Sequence, residues 1–191
     1  MIIDKSEVMR YAGIRGKLDD ETLSANIDRL IEKTYKLFSG KSGYKIFVTE
    51  NAEGGILLAG ADILLTGDAI KRHLKSCGRA ALMYATAGYG IDREILRLQQ
   101  TALGDALIID ACAVSGLESL CDTVTEEIGQ KAGCGITMRF SPGYGDLPIT
   151  LNRDIITALD AGRRGGVVLN SGGMMSPSKT VTAIVGIKEE R

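Results

Sequence analysis

The sequence predicts an α+β fold in which helices pack on a mixed, largely antiparallel sheet. Apolar strand-like runs and amphipathic helical segments both occur along the 191 residues, but they do not alternate strictly, as a parallel βαβ protein requires. About 45% of the residues are hydrophobic and 25% are charged, which is the balance of a globular protein with a substantial core. The length suits one domain of ordinary size, so we expect residues 1–191 to form a single domain.

In the N-terminal half, the pattern predicts a helix, two strands, a second helix and a third strand. The first helix is expected at residues 19–38, with Asp19 and Asp20 as capping residues and Gly40 ending it. The next elements are expected at residues 44–49, 56–65, 68–77 and 80–85. Asp68 is the expected capping residue of the second helix, because it precedes an apolar periodic run.

The C-terminal half begins with the longest helical pattern, at residues 91–131, which we interpret as two helices ended by Gly133 and Gly135. Within it, residues 103–113 are apolar enough to be buried on most sides. The remaining elements are expected to be a strand at 136–140, a helix at 152–159 and two strands within 167–187.

Composition and charge exclude several classes of function. Lys and Arg total 23 against 24 Asp and Glu, and the formal charge of −1 argues against a large nucleic-acid-binding surface. No apolar run approaches the roughly 20 residues of a transmembrane helix. The N-terminus lacks the apolar region of a signal peptide. We therefore expect a cytoplasmic protein with neither nucleic-acid nor membrane partners.

The sequence offers little for a metal site or for nucleophilic catalysis. Its four cysteines form no Cys-x-x-Cys pair, and His73 is the only histidine. His73 shares one face of the predicted helix with Ile70 and Leu74, so we interpret it as a half-buried packing residue. We predict no metal ligands and no catalytic residues.

A glycine-rich turn follows the strand predicted at residues 80–85. Gly88-Tyr89-Gly90 leads from a strand into a helix, where backbone N–H groups can bind an anion. Only two glycines fit a nucleotide-binding loop, and the preceding elements do not form the βαβ unit that such a loop requires. We interpret this segment as a connecting turn.

Two carboxylates in the long helical stretch are candidates for a function. Glu118 lies one residue beyond Leu117, at the edge of the packing face, where it can point into a cleft and hold a cation or an amino group. A glutamate at a helix edge is more often simply solvated. Asp110 lies in an apolar run and needs a partner, because an unpaired buried charge is costly.

Residues 138–148 combine an arginine, a Pro-Gly turn and a tyrosine. Arg139 lies on the strand predicted at 136–140, and its guanidinium suits a ligand carboxylate. Pro142 and Gly143 form a turn where the backbone can approach a ligand closely, and Tyr144 adds a flat ring with a polar tip. This combination favours a binding site for a small polar molecule.

Three motifs in this half of the chain resemble the S-adenosylmethionine-binding activation domain of cobalamin-dependent methionine synthase. The run Arg-x-x-Pro-Gly-Tyr-x-x-x-Pro at residues 139–148 is similar to the ligand-binding motif of that family. Glu118-x-Leu120-x-Asp122, followed by Glu126, resembles its acidic helix, and residues 175–183 resemble its Met-x-Pro-x-x-Ser-Val-Ser-Gly strand. The resemblance covers about residues 110–187, and the remainder looks like the short stand-alone relatives of that domain.

The resemblance implies both a fold and a ligand site. It implies the fold of the activation domain, with Arg139 gripping the amino-acid carboxylate of S-adenosylmethionine. Glu118 would lie near the charged end of the ligand, where a carboxylate favours a sulfonium or an ammonium group. The rest of the implied pocket is formed by Ser141, Pro142, Gly143 and Tyr144.

The sequence departs from the family at three points. The family's Pro-Ala-Cys-Pro after the tyrosine becomes Gly145-Asp146-Leu147-Pro148. The longer domain continues with a tyrosine-bearing segment, whereas this sequence ends at Arg191. The acidic contact from the N-terminal part of the longer domain has no counterpart that can be aligned.

The function implied by the resemblance is the repair of an inactivated corrinoid. The activation domain uses one electron and the methyl group of S-adenosylmethionine to restore methylcobalamin from cob(II)alamin. We therefore expect a stand-alone reactivation module that docks on a corrinoid-binding methionine synthase carrying the cobalamin, with an electron-donor protein as a further partner. Whether the chain is an enzyme or a subunit of that methyltransferase stays open.

Two alternatives remain open at this point. One is the reactivation of another corrinoid methyltransferase. The other is a non-catalytic adaptor or sensor that keeps the fold. For any docked partner, we expect exposed apolar positions around residues 88–90 and the final strands to form the contact surface.

Overall fold

A computed structural model describes residues 1–14 and 20–189. Its main feature is a five-stranded sheet in the order β3-β2-β1-β4-β7, accompanied by a separate pair, β5-β6. The strands are β1 Lys41–Ala52, β2 Gly55–Ala59, β3 Ile63–Thr66, β4 Cys77–Thr86, β5 Val168–Leu169, β6 Met175–Ser176 and β7 Thr180–Lys188. All the strand pairs described are antiparallel, so the sheet is antiparallel throughout rather than mixed. The α+β prediction is confirmed.

Seven α-helices surround this sheet in the described part of the chain. They are α1 Lys5–Tyr11, α2 Glu21–Leu37, α3 Asp68–His73, α4 Tyr89–Gln99, α5 Leu103–Ala132, α6 Asn152–Ala158 and α7 Ala161–Gly165. A short 3₁₀ helix, Ile149–Leu151, leads into α6. The predictions of α2, of the α4–α5 pair and of α6 are confirmed, whereas α1 and α7 were not anticipated from the sequence.

Helix α2 begins where the sequence supplies a capping side chain. Asp20 Oδ1 accepts hydrogen bonds from the backbone N–H groups of Thr22, at 2.9 Å, and Leu23, at 3.1 Å. These bonds satisfy two donors that have no partner inside the helix. The helix then buries Ile27 and Leu30 against the other helices. Asp19, the other predicted cap, lies outside the described residues.

Helix α5 connects the helical layer to the sheet. Its 30 residues span roughly 45 Å, and it ends at Gly133, whose φ of 70° is the left-handed conformation common after helices. The N-terminal half packs against α1, α2 and α4. The C-terminal half places Leu117, Cys121 and Val124 on one face of β4 and β7. Leu103 and Leu107 are 61% and 58% exposed, so the predicted burial of residues 103–113 holds only for the other faces.

The opposite face of the sheet is covered by the segment that contains α6. Leu147, Leu151 and Ile155 pack there with Leu82 and Ile184 of the central strands. The sheet is therefore enclosed between α5 on one side and the α3, α6 and α7 region on the other. Residues 136–148 pass from one face of the sheet to the other, because Ile136 packs with the α5 side chains and Leu147 packs on the opposite face.

The strand predicted at residues 56–65 is a hairpin of two strands, β2 and β3. The chain turns between them at Gly60, with φ of 83°, and Asp62, with φ of 53°. Aspartate is one of the few residues with a side chain that adopts this left-handed conformation readily. Glycine and aspartate are both common in turns, so the sequence carried a local signal for this break that the prediction did not use.

The strand predicted at residues 136–140 does not form. Single antiparallel bridges join Ile136 to Ile187 and Phe140 to Ile184. The chain therefore advances four residues from Ile136 to Phe140, but only three from Ile184 to Ile187. The extra residue interrupts the regular ladder of hydrogen bonds between the two segments. Between the bridges, Thr137 bonds to Gly186 with both its backbone N–H and its hydroxyl oxygen. The segment is an irregular edge that is attached to β7 at both ends.

Two other predicted boundaries are wrong. The helix expected at residues 68–77 ends at His73, and Cys77 already belongs to β4. The two strands expected within residues 167–187 are three, because β5 and β6 form a short hairpin before β7 begins. Within the described ranges, none of the helices combines the length and the apolar character needed to cross a membrane.

Candidate functional site

Arg139 lies between the two bridges that attach residues 136–140 to β7. Its side chain extends towards the middle of α5 and is 24% exposed. Nη2 donates a hydrogen bond of 2.7 Å to Glu118 Oε2, and Nη1 donates one of 2.6 Å to Asp122 Oδ1. A further hydrogen bond of 3.3 Å joins Nη1 to the hydroxyl of Thr125. We call Glu118, Asp122 and Arg139 the charged triad.

The triad exists because α5 presents its acidic side chains at helical spacing. Glu118 and Asp122 are four residues apart, so they occupy the same face of the helix, one turn after another. Each carboxylate takes one terminal nitrogen of the arginine. Their side chains remain 46% and 66% exposed, which leaves both within reach of a ligand.

The charge of the triad follows from its environment. Burial lowers the pKa of Arg139, but its hydrogen bond to Asp122 and the neighbouring negative charges outweigh that effect and leave the pKa raised. The guanidinium therefore stays protonated. Two carboxylates and one guanidinium carry a net charge of −1 at neutral pH.

The triad forms one wall of a cleft of about 420 Å³. The predicted residues Glu118, Arg139, Ser141 and Tyr144 all line this cleft. Its other lining residues are Asp122, Thr125, Met138 and Val181, which the sequence did not select as site residues. Asp122 and Thr125 follow Glu118 by four and seven residues, so helical spacing was the signal that could have found them.

Pro142 and Gly143 are not among the residues that line the cleft. They form the turn that carries Tyr144 to its lip, and Gly143 has a φ of 93° that a residue with a side chain rarely adopts. The Gly143 N–H donates to the Leu147 carbonyl at 2.9 Å, and the Tyr144 N–H donates to the Ser141 carbonyl at 3.2 Å. Their contribution to the site is the shape of this turn.

Asp146 anchors the same turn to α3. Its carboxylate accepts hydrogen bonds from the backbone N–H groups of Asp68, at 2.6 Å, and Ala69, at 2.9 Å. Those bonds lower the pKa of Asp146. Asp68 was predicted to cap this helix, but it is the first residue of α3. The side chain that accepts hydrogen bonds from the first N–H groups of the helix belongs instead to Asp146, which is distant in the sequence. Asp146 is one of the residues at 145–148 that differ from the family motif, and in this chain it has a structural role.

A second hollow, of about 390 Å³, lies on the other side of the triad. The N-terminal segment forms its outer wall with Ile2, Asp4, Glu7 and Tyr11. Ile2 and Asp4 donate backbone hydrogen bonds to the hydroxyls of α5 serines, which hold the segment in place. Two acidic residues of the N-terminal segment, Asp4 and Glu7, therefore line a hollow that the triad also lines.

The remaining candidates from the sequence have local partners. Asp110 forms an ion pair with Lys179 at 2.7 Å, but its side chain is 43% exposed, so it is not the buried carboxylate that the apolar run suggested. His73 Nε2 lies 2.8 Å from the Thr137 hydroxyl, and its ring lies 4.9 Å from that of Phe140. Burial lowers the pKa of His73. These contacts agree with the interpretation of His73 as a packing residue.

The turn at residues 88–90 lies away from the cleft. Tyr89 is 43% exposed, and its hydroxyl donates hydrogen bonds to the carbonyls of Gly166 and Ser176, both at 3.3 Å. The final strand β7 is buried from residue 182 to residue 187. The expected exposed apolar surface is therefore absent from the middle of β7, but it is present at Tyr89 and around the β5–β6 hairpin, where Val168 and Met174 are exposed.

The described residues also form a larger polar hollow, of about 550 Å³, near the other end of β7. Glu50, Lys71, Lys75 and Glu189 line it, with none of the predicted site residues. Lys71 forms its ion pair with Asp68 of α3, at 4.0 Å, rather than with either of these glutamates. No set of three or more His, Cys, Asp or Glu side chains suited to a metal ion occurs within residues 1–14 and 20–189.

The comparison with solved structures identifies the fold. The crystal structure of the MetH reactivation domain bound to AdoHcy superposes on this chain with a TM-score of 0.72. The match covers 99% of this chain and 75% of that one, at 13% sequence identity. The chain has the fold of the MetH reactivation domain. The resemblance inferred from the three motifs is thereby confirmed at the level of the fold.

The likeness to the MetH reactivation domain lies in structure rather than in overall sequence. No protein-family model matches the sequence. No curated protein matches it either. At 13% identity, the match to the MetH reactivation domain establishes the arrangement of helices and strands, and the roles of individual residues have to be argued from their geometry.

Proposed function

We propose that this chain binds S-adenosylmethionine in the cleft beside Arg139 and acts as a reactivation module for a corrinoid-dependent methionine synthase. The main support is the charged triad, which places a guanidinium between two carboxylates at the wall of an open cleft. The fold adds support, because the MetH reactivation domain was crystallised with AdoHcy, the demethylated form of the same ligand.

The cleft fits the amino-acid end of S-adenosylmethionine. That end carries a carboxylate, an ammonium group and the sulfonium. In our proposal, Arg139 binds the carboxylate and Glu118 binds the ammonium group, since charge-assisted hydrogen bonds of this kind are the stronger ones. The volume of about 420 Å³ lies in the range of ordinary small-molecule sites, roughly 300 to 1,000 Å³.

The lip of the cleft offers apolar surface for the rest of the ligand. Tyr144 is 63% exposed, and its ring is held edge-on against Phe140, with ring centres 6.2 Å apart. Met138 beside it is 84% exposed. An aromatic ring and a polarisable thioether are suited to contact a purine. Their exposure leaves this side of the cleft open to a docked partner.

In this proposal the cobalamin arrives on the partner protein. S-adenosylmethionine supplies the methyl group, and an electron-donor protein supplies the electron. The chain itself binds and orients the methyl donor, with Arg139 and Glu118 fixing its amino-acid end. A corrinoid methyltransferase other than methionine synthase is an equally suitable partner for the same surface.

A second function, a non-catalytic adaptor, is favoured by one observation. Both terminal nitrogens of Arg139 already have carboxylate partners within the chain. The triad is therefore electrostatically satisfied without a ligand, as expected for a structural ion pair. An adaptor would need the fold and a docking surface, and it would not need S-adenosylmethionine.

Calorimetric titration with S-adenosylmethionine tests the two proposals. We expect Arg139→Ala to weaken binding by about 10- to 100-fold, because a hydrogen-bonded charge contributes roughly 1.5–3 kcal/mol. Arg153→Ala, at an exposed arginine on α6, is the matched control and leaves binding unchanged. Circular dichroism verifies that both variants fold. A wild-type chain that does not bind millimolar ligand contradicts the first proposal and supports the adaptor.

The reactivation step has its own assay. The chain is mixed with a methionine synthase loaded with cob(II)alamin, a reductant and S-adenosylmethionine, and methylcobalamin is followed by absorbance. We expect the chain to accelerate its formation and Arg139→Ala to abolish the acceleration. Binding without acceleration would contradict the reactivation role while leaving the ligand site in place.

A further inference from the structure

We propose that an uncovered part of the sheet is the docking surface for a second copy of this chain, so that the protein forms a two-fold symmetric dimer. Four adjacent apolar side chains on one side of β1, β2 and β3 make up this surface: Val48 pairs with Ala59, and Leu57 pairs with Leu64. We call these four residues the open face. The inference goes beyond the proposed ligand binding and does not depend on it.

The open face lies on the side of the sheet that α5 covers only in part. Side chains alternate along a strand, so Val48 points to the same side as Ile46 and Tyr44 before it. Those two side chains pack with the cluster under α5. Helix α5 packs on β7, β4 and β1 and ends at Ala132, so the outer strands β2 and β3 lie beyond it.

The open face is apolar, yet it is not part of the core. Val48 is 53% exposed and Leu64 is 40% exposed, while Leu57 and Ala59 are half-buried. None of the four belongs to a hydrophobic cluster of the described residues, whereas Leu58, on the other side of β2, is fully buried. An antiparallel sheet with one side packed normally carries polar residues on the side that faces water. Apolar residues there indicate a surface that another molecule covers.

Two exposed side chains of opposite charge border the open face. Arg79 of β4 pairs with Val48, and Glu50 lies two residues further along β1, where it pairs with Leu57. Arg79 Nη2 donates to the Ala132 carbonyl at 3.5 Å, which places this side chain on the α5 side of the sheet. Strand alternation places Glu50 on the same side as Val48. Neither charge forms an ion pair within residues 1–14 and 20–189.

A second copy matches this surface because the two charges are related by a possible two-fold axis. When two identical sheets pack face to face, the axis lies in the plane between them. An axis that passes beside Val48 and midway between Arg79 and Glu50 exchanges the positions of these two charges. Each Arg79 then faces Glu50 of the other copy, and Val48 packs close to its own symmetry mate. A partner surface of a single charge sign would match only one of the two.

The proposed dimer leaves the candidate cleft accessible. The open face lies towards the β3 edge of the sheet, whereas the segment that carries Arg139 is attached to β7 at the other edge. Four apolar side chains make a small interface, and small interfaces are typical of weak, reversible association. We therefore expect a dissociation constant of roughly 1–100 μM for the dimer.

Sedimentation equilibrium of the whole chain, from about 1 to 300 μM, measures this dissociation constant. We expect Val48→Lys to raise it at least about 10-fold, because the ammonium groups of both copies would be buried near the axis. Leu103→Lys, at a leucine of α5 that is 61% exposed, is the matched control and leaves the constant unchanged. A thermal melt followed by circular dichroism verifies that both variants fold.

Charge reversal tests the two-fold arrangement itself. Arg79→Glu places like charges opposite each other at two symmetric positions, so we expect it to weaken the dimer about 10-fold. Combining it with Glu50→Arg restores opposite charges, and we expect the double variant to dimerise within about 3-fold of wild type.

Each outcome of these measurements supports or overturns the proposal. A wild-type chain that stays monomeric throughout the range overturns it, and so does a dimer that Val48→Lys leaves intact. Equal weakening by Leu103→Lys would place the interface elsewhere and would also overturn it. A double reversal that does not restore the dimer overturns the two-fold pairing of Arg79 with Glu50. No step uses S-adenosylmethionine, so a failure here leaves the proposed function standing.

Discussion

Glu94 connects two helices through the most enclosed ion pair in the described part of the chain. Its side chain is 12% exposed, and it lies 2.5 Å from Lys33 Nζ of α2 and 2.7 Å from Arg97 Nη2 of its own helix, α4. The hydrogen bonds from Arg97 lower the pKa of Glu94 most, burial opposes them, and Lys33 lowers it further, to about 2 from 4.5. We predict that Glu94→Gln destabilises the fold.

The size of the effect follows from linkage between the pKa and the free energy of unfolding. A pKa lowered from 4.5 to about 2 corresponds to about 3 kcal/mol as an upper bound. Because the side chains of Arg97 and Lys33 are 56% and 32% exposed, water screens the pair. We therefore expect Glu94→Gln to lower the free energy of unfolding at pH 7 by about 1–2 kcal/mol.

The pH dependence of the free energy of unfolding distinguishes the loss of the Glu94 charge from a loss of packing. The folded state favours the ionised carboxylate, so this contribution is complete above about pH 4.5 and is lost as the pH falls towards 2. Urea unfolding of wild type and Glu94→Gln between pH 7 and pH 2.5 measures it, with the exposed Glu32→Gln as control. A difference that is absent at pH 7, or that does not shrink below pH 4.5, would refute this reasoning.

Two further predictions concern thiol reactivity and close packing. Burial raises the pKa of Cys112 to about 11 and that of Cys121 to about 12, so Ellman's reagent at pH 8 should label neither until the chain is unfolded in urea. The assay uses a Cys77→Ser, Cys134→Ser variant, because these two thiols are only half-buried; labelling of this variant in its native state would contradict the burial of the other two. Gly165→Ala should cost about 2–3 kcal/mol in the same unfolding assay, because a methyl group there would lie 2.5 Å from the buried ring of Tyr84. Gly162→Ala, on the same helix with its nearest neighbour at 3.5 Å, is the control, and an equal loss in both variants would exclude the steric explanation.

The helices could be predicted because their signals are local. The apolar positions of α2 recur at helical spacing behind Asp20, and Gly133 ends α5 in a conformation suited to glycine. The strands were less predictable. Gly60 and Asp62 mark the turn between β2 and β3, although one continuous strand was predicted there. The irregular segment at residues 136–140 has no such local signal, because it depends on how β7 lies beside it.

The candidate site could likewise be predicted from the sequence only in part. Glu118, Arg139 and Tyr144 were selected from the sequence because they belong to motifs that resemble a known domain, and the structure brings all three to one cleft. Asp122 stood in the same motif without an assigned role, since its pairing with Arg139 spans 17 residues and depends on where the edge segment meets α5.

By itself, the sequence determined the helical segments, the α+β class and the residue types that suit a zwitterionic ligand, because these follow from side-chain spacing over one or two turns and from chemistry. Only the tertiary structure decided which charges meet. It joined Arg139 to two carboxylates of α5, brought Asp4 to the far side of the triad and used Asp146 to cap α3. The physical reason is that Coulomb energies and hydrogen bonds depend on distances of a few ångströms, which are set by the packing of elements far apart in the chain.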